Sequence, residues 1–120
     1  MTVLLMALFG GVGAVCRFIT DTALKARSAV GLPVGTLVIN VTGSLLLGVL
    51  TGLRLRHGLG DEVLLVLGTG FCGGFTTFST ASVETVRLAR LGIKPAVAVV
   101  MAMTVGCVGA AALGFWVISR

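Results

Sequence analysis

The 120-residue chain is 57% hydrophobic and only 11% charged, with a mean hydropathy of +1.15. A soluble domain carries about 25% charged residues, so this composition excludes an ordinary soluble domain and points to a membrane. The net charge of +5 does not indicate nucleic acid. The bases sit between apolar runs, where the positive-inside rule accounts for them, and no basic groove or nucleic-acid module accompanies them.

A helix crosses the hydrocarbon core with about 20 mainly apolar residues. Runs of that kind lie at roughly 2–20, 33–53, 63–83 and 95–118, joined by short charged connections. The expected fold is all-α: a single transmembrane unit of four helices, with no room for a separate soluble domain.

The first span opens Met1-Thr-Val-Leu-Leu, with no basic stretch ahead of it and no small-residue cleavage site before Arg17. It is therefore expected to remain as a helix rather than be removed as a signal peptide. Gly10-Gly-Val-Gly-Ala14 leads to Arg17, and Asp21 stands one turn later, at the spacing of an ion pair. Arg17 reads either as a snorkelling interface anchor or as a charge that draws anions to a pore mouth. The connection that follows carries Lys25, Arg27 and Ser28.

Pro33 opens the second span, where a helix start tolerates proline. Thr36, Asn40 and Ser44 recur at i, i+4 and i+8 and share one helix face. Asn40 lies roughly 10 Å into the bilayer at 1.5 Å per residue. An amide at that depth either hydrogen-bonds a neighbouring helix or lines a polar pathway, and the aligned hydroxyls favour the pathway. Arg54, Arg56, His57, Asp61 and Glu62 fill the next connection, with His57 expected to be solvated.

The third span is the unusual one. Gly68-Thr-Gly-Phe-Cys-Gly-Gly-Phe-Thr-Thr-Phe-Ser-Thr-Ala-Ser-Val-Glu84 sets helix breakers and hydroxyls where a bilayer normally requires unbroken helix. The pattern predicts a helix opened at Gly73-Gly74, with freed carbonyls able to hold a cation. Phe71, Phe75 and Phe78 fall at i, i+4 and i+7. They serve either as packing or as electropositive ring edges for an anion. Thr76, Thr77, Ser79, Thr80 and Ser82 supply donors between them, unless they bond back to their own carbonyls. Gly68-x-Gly-x-x-Gly73 matches a dinucleotide fingerprint but lacks the βαβ unit and the acidic residue about 20 positions on. Glu84 and Arg87 form a candidate i, i+3 pair at the end of the span.

Pro95 begins the last span, where Ala102, Gly106, Ala110 and Gly114 recur every fourth residue; Gly48 and Gly52 repeat that spacing on the second. Such ridges let backbones approach closely in lipid, within one chain or between two. Cys16, Cys72 and Cys107 stand alone in apolar sequence without a C-x-x-C pair, so neither a disulfide framework nor a zinc site is expected. No nucleophile–base pair, convergent carboxylates or metal-ligand cluster is present in the sequence, and no enzyme is expected. Arg17, Lys25, Arg27, Arg87, Arg90 and Lys94 lie toward one membrane face, against Arg54, Arg56 and Arg120 on the other. The larger group leans toward the cytoplasm.

Three blocks, Gly10-Gly-Val-Gly-Ala-Val-Cys-Arg-Phe18, Gly35-Thr-Leu-Val-Ile-Asn-Val-Thr-Gly-Ser44 and Gly70-Phe-Cys-Gly-Gly-Phe-Thr-Thr-Phe-Ser-Thr80, together resemble the Fluc/CrcB fluoride channels over nearly the whole chain. The resemblance implies an antiparallel dimer in the cell inner (plasma) membrane, inserted in dual topology and passing fluoride passively out of the cytoplasm. It implies a polar track with Asn40, the edge of Phe78 against the ion, and Ser79 and Thr80 in the same pore block. Thr36 and Ser44 join the track by their shared face with Asn40. The main-chain oxygens of Gly73 and Thr76 would hold a structural Na⁺ at the dimer centre, and Arg17 would stand near an aqueous vestibule. The chain departs from the family pattern at Ala81, where a second pore phenylalanine is often found. That departure raises the alternative of a heterodimer with a similar subunit, instead of a homodimer. A small multidrug-type exporter would need a carboxylate in the first span, and none stands between Met1 and Thr20. A non-transporting helical subunit is the remaining rival.

Overall fold

The computed structural model describes residues 1–25 and 32–120; Arg27 and Ser28 lie outside the described residues. The chain is 91% helical without strands among the described residues. Its elements are α1 (Thr2–Lys25), α2 (Val34–His57), α3 (Asp61–Leu64), a π-helical stretch (Leu65–Cys72), α4 (Gly73–Phe75), α5 (Phe78–Leu91) and α6 (Ile93–Ser119). Four spans are long and apolar enough to cross a membrane: α1, α2, the composite Asp61–Leu91 and α6.

The helices outrun the apolar windows at several ends, because caps and not hydropathy terminate them. Gly58 stops α2 in the left-handed conformation (φ 70°), returning its N–H to the Leu53 carbonyl. Pro33 is the N-cap of α2, and Pro95 sits in the first turn of α6, where no intrahelical acceptor exists for the missing N–H.

α2 is the centre of the bundle. It packs most extensively on α6, while α1 packs on the π-helical stretch and α4, and α5 on α6. The α2–α6 seam is backbone against backbone. A Cβ on Gly48 would meet the Ala111 carbonyl, and one on Gly114 would come within 2.5 Å of the Leu45 carbonyl. Gly106 also faces α2, 3.1 Å from Val41 by the same measure. The glycines of the α6 ridge thus serve packing inside the chain, while Ala102 is exposed. Much of the outward surface of α1 and α6 remains apolar and uncovered.

The third span bends by 27° near its middle. Its opening does not fall at Gly73-Gly74, as the sequence predicts, but at Thr76-Thr77. Gly73 is helical (φ −63°, ψ −38°), whereas Thr76 (φ −76°, ψ 161°) and Thr77 (φ −146°, ψ 124°) are extended. The glycines are spent on close approach instead: a Cβ on Gly74 would land on the Gly10 carbonyl, and one on Gly13 on the Phe71 carbonyl. β-branched threonines tolerate the extended backbone well, and Thr77 then caps α5. Before the break the helix is already widened, with Gly73 N–H reaching back to the Gly68 carbonyl.

Opposite ends of the bundle carry different polar contacts. At one end Thr2 Oγ1 donates to Glu62 Oε1 (2.8 Å), Arg54 pairs with Asp61, and the Arg120 guanidinium lies 3.8 Å from the Trp116 ring centre. His57, expected to be solvated, is exposed but also lies 3.2 Å from the Ile118 carbonyl through Nε2. At the other end Asp21 pairs with Lys25 at 2.7 Å and not with Arg17. The acid-before-base order along a helix favours that choice, because it also suits the helix dipole. Glu84 and Arg87 form no ion pair among the described residues.

Candidate ion-pathway groove

An interrupted helix strands backbone groups, and in an apolar interior each must be answered. Asn40 on α2 answers two of them. Its Oδ1 accepts the Thr77 N–H at 2.8 Å, and its Nδ2 donates to the Thr77 carbonyl at 2.9 Å. Asn40 and Thr77 are both buried. The amide therefore replaces, for one residue, the partners that a helix or a sheet would give.

The second threonine completes the turn. Thr77 Oγ1 accepts the Thr80 N–H at 3.2 Å, an N-cap for α5. It also donates to Thr80 Oγ1 (3.1 Å) and lies 3.3 Å from Ser79 Oγ. Thr76 Oγ1 turns back to the Cys72 carbonyl at 2.8 Å, which already accepts the Thr76 N–H at 2.9 Å.

These substitutions release two carbonyls. In a continuous helix the Thr77 N–H would go to Gly73 and the Thr80 N–H to Thr76. Asn40 Oδ1 takes the first and Thr77 Oγ1 the second. The Gly73 and Thr76 oxygens are left outside the ladder, three residues apart on one broken segment.

Beside the break runs an open groove of about 720 Å³, walled by α2, the third span and α6. Asn40, Ser44, Gly73, Thr76 and Phe78 all line it, as does Ala81. Phe78 is 88% exposed and projects from the first turn of α5. The phenylalanine stripe is consequently split: Phe71 and Phe75 stack in parallel at 5.8 Å on one side of the break, and Phe78 stands apart on the other. Ser79 and Thr80 gather round Thr77 Oγ1 off the groove wall. Thr36, on the same face of α2 as Asn40, is 1% exposed, and its hydroxyl has no hydrogen-bond partner among the described residues. Asp21 Oδ1 and Glu84 Oε2 are likewise buried and unpartnered there. Arg17 is half-buried on α1, away from the groove.

The family model described as CrcB-like protein, Camphor Resistance (CrcB), matches residues 4–115. The chain belongs to the CrcB family. It is 52% identical over 122 residues to "Fluoride-specific ion channel FluC 2" of Cutibacterium acnes, covering 100% of this chain and 99% of that one. It is 50% identical over 117 residues to "Fluoride-specific ion channel FluC 1" of Leifsonia xyli subsp. xyli, covering 97% and 85%. A third relative, "Fluoride-specific ion channel FluC 2" of Rhodococcus jostii, is 43% identical over 116 residues, 96% of each chain.

In this CrcB-family chain, three groove residues escape a reading of the sequence. Met103, Thr104 and Thr85 line the wall opposite Asn40 or along α5. Thr85 bonds back to the Ala81 carbonyl (2.8 Å), as membrane hydroxyls commonly do. Met103 reads as one more apolar residue, yet its sulfur lies 3.6 Å from Asn40 Nδ2. The central role of Thr77 was readable in part, since a threonine just ahead of Phe-Ser-Thr is a candidate N-cap. The arrangement offers amide and hydroxyl donors, a projecting ring edge and two carbonyls released from their helical donors along one open groove. Among the described residues no group of three or more His, Cys, Asp or Glu side chains gathers to hold a metal ion.

Proposed function

We propose that this chain is a passive, fluoride-selective channel subunit of the plasma membrane that lets fluoride leave the cytoplasm. The observation that carries the reading is the Asn40–Thr77 pairing, a break in a membrane helix that is built and stabilised beside an open groove. Irregular backbone at membrane depth is tolerated where it lines a cavity or is buried in protein. The relatives' names supply the ion. Phe78 supports the choice: a ring edge is electropositive and can meet a small anion without trapping it as a full charge would.

A second subunit would close the groove. Polar donors are poorly placed against lipid tails, and an antiparallel partner would cover them together with the projecting Phe78. The freed carbonyls of Gly73 and Thr76 suit a hard monovalent cation, which takes oxygen ligands. They would hold Na⁺ where two such breaks meet, and the bound ion would supply a fixed positive charge that ties the subunits together. Asn40 and Ser44 would form the polar track along the groove wall, with Thr36 behind them. Ser79 and Thr80, gathered round Thr77 Oγ1 off that wall, would join it where a partner subunit extends the track. Arg17, away from the groove within this protomer, would hold positive charge near an aqueous vestibule.

Ala81 favours a second reading of the partner. It lines the groove where a ring would otherwise sit, so a similar chain that retains the ring would complete a heterodimer. Fluoride efflux from liposomes containing this chain alone separates the two: robust release rules out an obligate partner. The pore assignment itself is tested by Asn40→Asp and Phe78→Ile in the same assay. Both are expected to reduce release, and unchanged release in both would sink it.

A further inference from the structure

Asn40 Nδ2 carries two hydrogens, and each has a taker. One goes to the Thr77 carbonyl at 2.9 Å, the other to Met103 Sδ on α6 at 3.6 Å. The orientation of the amide is fixed, because a flip would set Nδ2 against the Thr77 N–H and Oδ1 against its carbonyl. The two bonds are unequal. Giving up the first leaves a buried backbone carbonyl unanswered, whereas the second rests on a thioether, a weak acceptor. Both Asn40 and Met103 line the groove.

We propose that Met103 sets the affinity and rate of anion passage by holding the second amide proton of Asn40 loosely and yielding it to an anion that enters the groove. The inference rests on reading the groove as an anion pathway. A bond from N–H to an anion is charge-assisted and roughly twice as strong as a neutral one, so a small anion displaces the sulfur. When the anion leaves, Met103 takes the proton back, so the donor is never stranded. Conduction needs binding strong enough to admit the ion and weak enough to release it. A strong acceptor at position 103 would keep the proton from the ion, and no acceptor would make the ion too slow to leave. Met103 is thus a positioning residue acting through Asn40.

The test uses the full chain in liposomes, with fluoride efflux measured against fluoride concentration, for wild type, Met103→Leu and Met103→Gln. Met103→Leu should lower the half-saturating concentration and the maximal rate, each about two- to tenfold, the span of one neutral hydrogen bond. Met103→Gln should raise the half-saturating concentration by a similar factor. Norleucine at position 103, which exchanges sulfur for methylene at nearly constant shape, should behave as leucine does and guards against a folding defect. In micelles, fluoride should move one of the two Asn40 side-chain amide proton signals and leave the other. Shifts of half-saturation in the same direction for Leu and Gln, no shift in either, or amide signals that do not separate on adding fluoride would overturn the inference. Wild-type liposomes that release no fluoride even with a similar subunit reconstituted beside this chain would overturn the pathway reading as well, which distinguishes the two failures.

Discussion

Replacing Asn40 with alanine removes a side chain that bonds both backbone groups of Thr77. Thr77 is 7% exposed, so water does not readily take the vacated positions. Each buried group left unanswered costs about 1–3 kcal/mol, and two of them set the expected loss for Asn40→Ala at about 2–6 kcal/mol. Reversible unfolding by SDS titration in mixed micelles would measure it. Thr51→Ala is the control, because the Thr51 hydroxyl bonds the Leu47 carbonyl of its own helix at 2.8 Å; it should change stability by about 1 kcal/mol or less. If Asn40→Ala lies within the range of that control, the break supports itself and the reasoning from the amide pairing is refuted.

Three further outcomes follow from the same geometry. Phe78→Ile should cut fluoride flux by about fivefold, the equivalent of the roughly 1 kcal/mol that an aromatic edge contributes; the exposed ring (88%) should leave the protomer fold intact by circular dichroism. Gly74→Ala would drive its Cβ into the Gly10 backbone, while at Gly73 nothing lies within 4 Å of the added atom. Thermal unfolding in detergent should therefore show a loss of about 1–3 kcal/mol or more for the first and none for the second. Thr77→Ala should lose the α5 cap at about 1 kcal/mol, with Thr77→Ser restoring most of it, as measured by amide exchange in the first turn of α5.

Much of the architecture is legible in the sequence, because hydropathy counts residues against a bilayer of known thickness. The four spans and the interrupted third one follow from that. The position of the interruption does not. Glycine is a weak helix former in water, which draws attention to Gly73-Gly74, but in a packed bundle Gly74 is worth more as a place for α1 to touch. The threonines after it carry the extended backbone instead. Asn40 is conspicuous as a buried amide, yet its partner stands 37 positions away, and no local spacing reveals such a pairing. The Phe71, Phe75 and Phe78 stripe assumed one continuous helix and came apart with it. Met103 is invisible by type, since only its placement against an amide gives its sulfur a role. Asp21 shows a smaller lesson: two bases stand four residues away on either side, and the helix direction selects Lys25.

The measurement that bears most directly on the central claim is anion release by this chain alone, reconstituted in liposomes loaded with equal potassium fluoride and potassium chloride. Valinomycin releases the counter-ion, and ion-selective electrodes follow both anions outside. The account predicts fluoride release at once while chloride stays inside. Equal release of both anions, or retention of both by the folded chain both alone and with a similar subunit reconstituted beside it, would contradict it.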